Sequence, residues 1–120
     1  MKRILLVEAY TVFRQALVVV VGQEPDLEVV AQAGSLAEAR RVSRTVDVAV
    51  VNLLMPDGDG AQFVWELRSQ PTPRCSVLVL TESLAGEDHL RARAAGAEEV
   101  LSKAVSQQEI IDALKRLGGT

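Results

Sequence analysis

Residues 47–60 read Asp47-Val48-Ala49-Val50-Val51-Asn52-Leu53-Leu54-Met55-Pro56-Asp57-Gly58-Asp59-Gly60. Val48 to Val51 run without polar interruption into Asn52, and a turn rich in proline, aspartate and glycine follows. A continuous apolar run of this kind suits a parallel strand covered on both faces, whereas a strand with one wet face would alternate. Pro56 and the two Asp-Gly pairs then end it. Proline withholds a backbone donor, and glycine admits conformations that other residues avoid.

Runs of the same character recur on either side. The strands expected are Arg3–Val7, Leu27–Ala33, Asp47–Asn52, Ser76–Thr81 and Glu99–Ser102. Helical segments alternate with them near Val12–Gln23, Leu36–Arg44, Ala61–Ser69, Glu87–Ala95 and Gln107–Leu117. Ser35 with Glu38, and Ser106 with Glu109, have the spacing of a capping box, in which hydroxyl and carboxylate satisfy orphan amide donors. Gly22, Gly96 and Gly118 fall near helix ends, where a left-handed residue is often needed. Five β-α units with right-handed crossovers make an open, doubly wound α/β sheet.

The chain has 120 residues, enough for one domain spanning 1–120 and no second core. Thirteen basic and sixteen acidic residues give a net charge of −3 with no basic stripe, which argues against direct nucleic-acid binding by this domain. Cys75 is the only cysteine, so neither a disulfide framework nor a thiolate cluster is available. The opening Met-Lys-Arg-Ile-Leu-Leu-Val reads as a strand, and the apolar run Ala16 to Val21 is too short to span a bilayer. The expectation is a cytoplasmic domain without membrane contact.

In doubly wound sheets, ligands and chemistry gather at the carboxyl ends of the strands, near the point where strand order reverses. Those ends carry Glu8, Asn52, Thr81 and Lys103. Four polar side chains on one rim of an apolar sheet define a candidate site.

At these residues the sequence resembles the receiver domain of bacterial two-component response regulators, over essentially its whole length. The resemblance rests on Ile4-Leu5-Leu6-Val7-Glu8, residues 47–60, Val77-Leu78-Val79-Leu80-Thr81, Ala95-Gly96-Ala97 and Leu101-Ser102-Lys103. Pro25-Asp26-Leu27-Glu28-Val29-Val30 is most similar to regulators with a LuxR-type helix-turn-helix output domain. The resemblance implies a flavodoxin-like sheet of order 2-1-3-4-5 with five helices. It also implies an aspartate at the position of Asn52 that accepts a phosphoryl group from a histidine kinase. Mg²⁺ would be held by that aspartate, by an acidic pair after the first strand and by a carbonyl corresponding to Leu54. The lysine and threonine would contact phosphoryl oxygens, and an aromatic on the fifth strand would act as a switch.

This chain departs from that pattern at three positions. Asn52 carries no charge, and its amide lone pair is delocalised, so it cannot form the acyl phosphate by the usual attack. The acidic pair is reduced to Glu8, because Ala9 follows, and the switch position is Val100. Three coordinated departures point to a domain that no longer uses phosphate.

The remaining pocket holds one carboxylate and one lysine, balanced without metal. Mg²⁺ usually needs one or two carboxylates plus phosphate, so its binding is expected to be weak or absent. The natural replacement is a Glu8–Lys103 ion pair or a Lys103 hydrogen bond to the Asn52 carbonyl. The family often has proline after the lysine, joined by a cis bond. Ala104 stands here, and a cis bond to it would cost about 3 kcal/mol, so trans is expected.

Other residues are read more plainly. Asp57 and Asp59 fit turn chemistry rather than substitute acceptors, His89 is expected on the surface, and Cys75 is a buried or half-buried apolar residue. Trp65 points away from the inward face of Phe63, Val64 and Leu67, either as a contact surface or partly buried against a loop. Val18 and Val19 extend the apolar face of the first helix and are a candidate partner site. Arg91 and Arg93 either line a dimer face formed by the fourth helix, fifth strand and fifth helix, or are solvated helix charge.

The leading expectation is an aspartate-less, phosphorylation-independent receiver. It would serve as a signalling and protein-interaction module in transcription regulation and not as an enzyme. It would act as a homodimer or with a heterologous regulator, either as the N-terminal part of a longer protein or standing alone. The alternatives are a small-ligand sensor using the emptied pocket and residual phosphoryl acceptance at another residue. A flavodoxin-like cofactor binder would share the architecture, but no phosphate-cradling loop follows the first strand, where Glu8 would repel an anion.

Overall fold

A computed structural model describes residues 1–42, 45–71, 75–82 and 86–118. Its elements in chain order are β1 (Lys2–Val7), α1 (Thr11–Gly22), β2 (Leu27–Ala33), α2 (Leu36–Arg40), β3 (Val48–Asn52), β4 (Leu54–Met55) and β5 (Gly58–Asp59). They continue with α3 (Gly60–Arg68), β6 (Ser76–Thr81), α4 (Gly86–Ala95), β7 (Glu99–Ser102) and α5 (Gln107–Arg116). The long strands form one parallel sheet in the order β2-β1-β3-β6-β7. Because β6 and β7 are the fourth and fifth of the expected strands, this is the 2-1-3-4-5 order. The short β4–β5 pair is an antiparallel extra, pairing Leu54 with Asp59 and Met55 with Gly58.

The reason β3 does not alternate lies in its two faces. Ala49 and Val51 join Leu5, Val7, Val77 and Val79 against Leu36, Phe63, Val64 and Ala92 from α2, α3 and α4. Val48 and Val50 join Ile4, Leu6, Leu78 and Leu80 against Leu17 and Val21 of α1 and Ile110, Ile111 and Leu114 of α5. Every β3 side chain is buried, so each position of the strand has to be apolar until Asn52.

Both expected caps are made. Ser35 accepts from the Glu38 amide at 3.1 Å, and Ser106 accepts from the Glu109 amide at 3.1 Å. The second helix is shorter than expected, ending at Arg40 with Arg41 as its cap. Val42 turns inward and packs against the core, and Ser43 and Arg44 lie outside the described residues. Gly96 and Gly118 take the left-handed region, with φ of 114° and 83°. Gly22 does not. The chain leaves α1 through right-handed Gln23, whose amide donates to Val20 and Val21 carbonyls.

Gly60 is needed for a different reason. A Cβ there would lie 2.3 Å from the Asn52 carbonyl oxygen and 2.9 Å from that of Leu53. The start of α3 can therefore rest on the end of β3 only without a side chain. Among the described residues, no peptide bond is cis, and the bond before Ala104 is trans as expected. No described helix is long and apolar enough to cross a membrane.

Candidate functional site

Strand register brings the four rim residues together. Val7 pairs with Val51, Asn52 with Leu80, and Thr81 with Ser102, so Glu8, Asn52, Thr81 and Lys103 emerge at one edge of the sheet. Glu8 and Asn52 are each only 2% exposed and Thr81 3%.

Glu8 is the hub. Its Oε1 meets the Lys103 ammonium at 2.6 Å. Its Oε2 accepts from the Tyr10 amide at 3.0 Å and from Asn52 Nδ2 at 3.0 Å. The second proton of the same Asn52 amide goes to the Leu54 carbonyl at 3.1 Å. Two acceptors on one side of the amide fix its orientation, because the flipped form would set Oδ1 against two other oxygens. Asn52 Oδ1 is buried and has no hydrogen-bond partner among the described residues.

Lys103 is enclosed as well. Beyond Glu8 it reaches Glu82 Oε1 at 3.3 Å, and its ammonium lies 4.6 Å from the Tyr10 ring centre and 4.4 Å from that of Phe13. Carboxylate and aromatic faces both attract an ammonium, the rings through their quadrupoles. Of the two expected replacements for metal, the Glu8–Lys103 pair is made. The Lys103 bond to the Asn52 carbonyl is not, because the ammonium is drawn toward β1 and the two rings.

The family model for the response regulator receiver domain matches residues 4–115. The chain belongs to this family. It is 38% identical over 121 residues to the DNA-binding transcriptional activator DevR/DosR of Mycobacterium tuberculosis, covering 98% of this chain and 55% of that protein. It is 36% identical over 104 residues to protein-glutamate methylesterase/protein-glutamine glutaminase 2 of Cereibacter sphaeroides, covering 84% of this chain and 28% of that protein. The chain thus spans about half or less of these curated relatives. Among solved structures, a LuxR-family two-component response regulator from Aurantimonas superposes with a TM-score of 0.88 at 25% identity, covering 97% of this chain and 84% of that one. A LuxR-family regulator from Staphylococcus aureus reaches 0.91 at 17% identity, a likeness of fold, covering 99% of this chain and all of that one.

The donor set of this receiver domain does not fit Mg²⁺. Glu8 is its one buried carboxylate, with both oxygens engaged by Lys103, Asn52 and Tyr10, and the exposed Glu82 is turned to the same Lys103. The Leu54 carbonyl is turned to the Asn52 amide, and the oxygen left over is a neutral amide Oδ1. No group of three His, Cys, Asp or Glu side chains gathers as a cation site among the described residues. Ala9 is half-buried and adds no donor, and Val100 is buried in the core.

The turn aspartates have specific tasks. Asp57 accepts from the Leu36 amide at 2.9 Å and the Ala37 amide at 3.0 Å, clamping the start of α2, and these bonds hold its carboxyl below the usual range. Asp59 caps α3 by accepting from the Ala61 amide at 2.9 Å, and it also binds Arg91 Nη1 at 2.5 Å. Arg91 therefore ties α4 to the start of α3, with Asp88 at 3.5 Å as a second partner, instead of standing as free helix charge. These carboxylates push its guanidinium further up. Arg93 donates to the Glu98 carbonyl at 2.6 Å.

Trp65 is 53% exposed and Val19 60%, while Val18 is half-buried. Cys75 is buried, and that burial pushes its thiol up. His89, expected on the surface, is half-buried on α4. The residues that sequence reading missed are Tyr10, Phe13 and Glu82. Their signal was adjacency: an aromatic pair spaced i, i+3 just after Glu8, and a carboxylate next to Thr81.

Proposed function

We propose that this receiver domain is of the aspartate-less type and signals without phosphorylation, as a protein-interaction module in transcription regulation with no enzymatic activity of its own. The observation that carries this reading is the neutral, buried Asn52 at the acceptor position, hydrogen-bonded to a Glu8 that Lys103 already neutralises. An amide in that place offers no nucleophilic oxygen anion, and the lysine that would meet a phosphoryl oxygen is held by a carboxylate. Asp57 and Asp59 make weak substitute acceptors, since each carboxylate is bound to amides at a helix start. The pocket then works in one arrangement. Its output is an assembled state, either a homodimer through the α4–β7–α5 face or a complex with another regulator. Likeness to a transcriptional activator supports a gene-regulatory setting, with the output region lying in the part of that relative this chain does not cover.

The test is sedimentation over a concentration range, before and after incubation with acetyl phosphate and Mg²⁺. Unchanged association is expected, and a phosphodonor-dependent shift toward dimer would contradict the reading. A second reading, a small-ligand sensor, is favoured by two cavities of about 360 and 350 Å³ at the rim, which share Leu54 and Glu82. A thermal-shift screen of metabolites separates the two, because only a sensor would be stabilised saturably.

A further inference from the structure

Two oxygens from different parts of the chain converge on Asn52 Nδ2: the Glu8 carboxylate at 3.0 Å and the Leu54 carbonyl at 3.1 Å. Glu8 and Asn52 are each 2% exposed and the Leu54 contact is part-buried, so two oxygens turned to one point out of bulk water need a donor or a cation between them. We infer that the Asn52 amide is a built-in substitute for a divalent cation, its two N–H groups joining the end of β1 to the turn after β3. The substitution keeps shape and changes only charge. An aspartate there would set an oxygen about where Nδ2 stands, opposite Glu8 Oε2 and Leu54 O, bringing no proton to either and leaving Glu8 Oε2 only the Tyr10 amide. Lys103 could not repair this, because it sits on the other carboxylate oxygen with Tyr10 and Phe13 around it. Asn52→Asp should therefore convert a cation-indifferent domain into one that needs a hard cation to hold its site closed.

This inference rests on reading the site as metal-free, but its test involves no phosphoryl chemistry, so the two can fail separately. Thermal unfolding is measured for wild type, N52D and N52A, in EDTA and in millimolar Mg²⁺. The wild type should melt at the same temperature in both. N52D should melt lower in EDTA by about 5–10 °C, the scale expected for taking one donor from the buried Glu8 carboxylate and one from the part-buried Leu54 carbonyl in a domain of this size, and recover at least half of that in Mg²⁺. N52A should melt lower and ignore Mg²⁺, since it removes the bridge without adding a ligand. The inference is overturned if N52D matches wild type in EDTA, if N52D and N52A fall alike with no response to Mg²⁺, or if the wild type itself responds. Should N52D not fold, the wild-type Asn52 side-chain NH₂ resonances decide. Slow exchange and fixed shifts across a Mg²⁺ titration support the bridge, and solvent-like exchange or Mg²⁺-dependent shifts overturn it.

Discussion

At the scale of single residues, the site is a set of donors matched to acceptors around Glu8. Removing one partner of a buried ion pair strands the other, which costs more than the pair contributes. Lys103→Met keeps much of the packing against Tyr10 and Phe13 but leaves the 3%-exposed Glu8 side chain short of a donor. It should lower unfolding free energy by about 3 kcal/mol in urea titrations. The double variant E8Q/K103M should lose less than the sum of the two singles, because residues in one network are not additive. Additive losses would mean that the pair is not coupled. Gly60→Ala presents a different failure, since the added methyl would strike backbone oxygens that cannot rotate away. A loss of about 1–3 kcal/mol is expected, with chemical-shift changes reaching Asn52. Wild-type stability would show that α3 can lift off β3 freely.

At the scale of elements, the loop carrying the site is pinned at two points, by Asp57 to α2 and by Asp59 through Arg91 to α4. Asp57→Ala should raise amide hydrogen exchange at Leu36 and Ala37 while leaving β3 protected. Uniform protection across the mutant would show that Ser35 alone starts the helix. The pH dependence has a definite sign. The carboxyls of Asp57 and Glu66 are held below their ordinary values, by the α2 amides and by Arg40 respectively. Their contributions are present in full above about pH 4–4.5 and are lost as pH falls further, through the folded-state values. Protection from exchange at the start of α2, taken relative to the intrinsic rate at each pH, should accordingly fall on acidification before the core strands open.

These element-scale contacts were the least legible in the sequence. The strands could be read because burial on both faces forces continuous apolar runs, and the two serine caps because their spacing is local. Asp57 reaches α2 across 21 and 20 residues of chain, and Arg91 reaches Asp59 across 32. Nothing local distinguishes such carboxylates from ordinary turn residues. The pocket was half legible for the same reason. Charge counting offered the Glu8–Lys103 pair beside a Lys103 bond to the Asn52 carbonyl, and it could not choose between them or tell which way the Asn52 amide would turn.

At the scale of the whole molecule, the sheet carries a receiver's rim whose lysine is already held by carboxylates. Glu8 and Glu82 both meet Lys103 and Asn52 is neutral, so on the proposed reading a phosphoryl group arriving there meets neither an aspartate nucleophile nor a free lysine. Under the proposed function the shape is kept without the phosphoryl chemistry, and regulation falls to whatever sets the amount or partners of the protein. The most direct measurement is intact mass after incubation with acetyl phosphate and Mg²⁺, on wild type beside N52D. An unchanged wild-type mass is expected, and a stoichiometric gain of one phosphoryl group on the wild type would contradict the central claim.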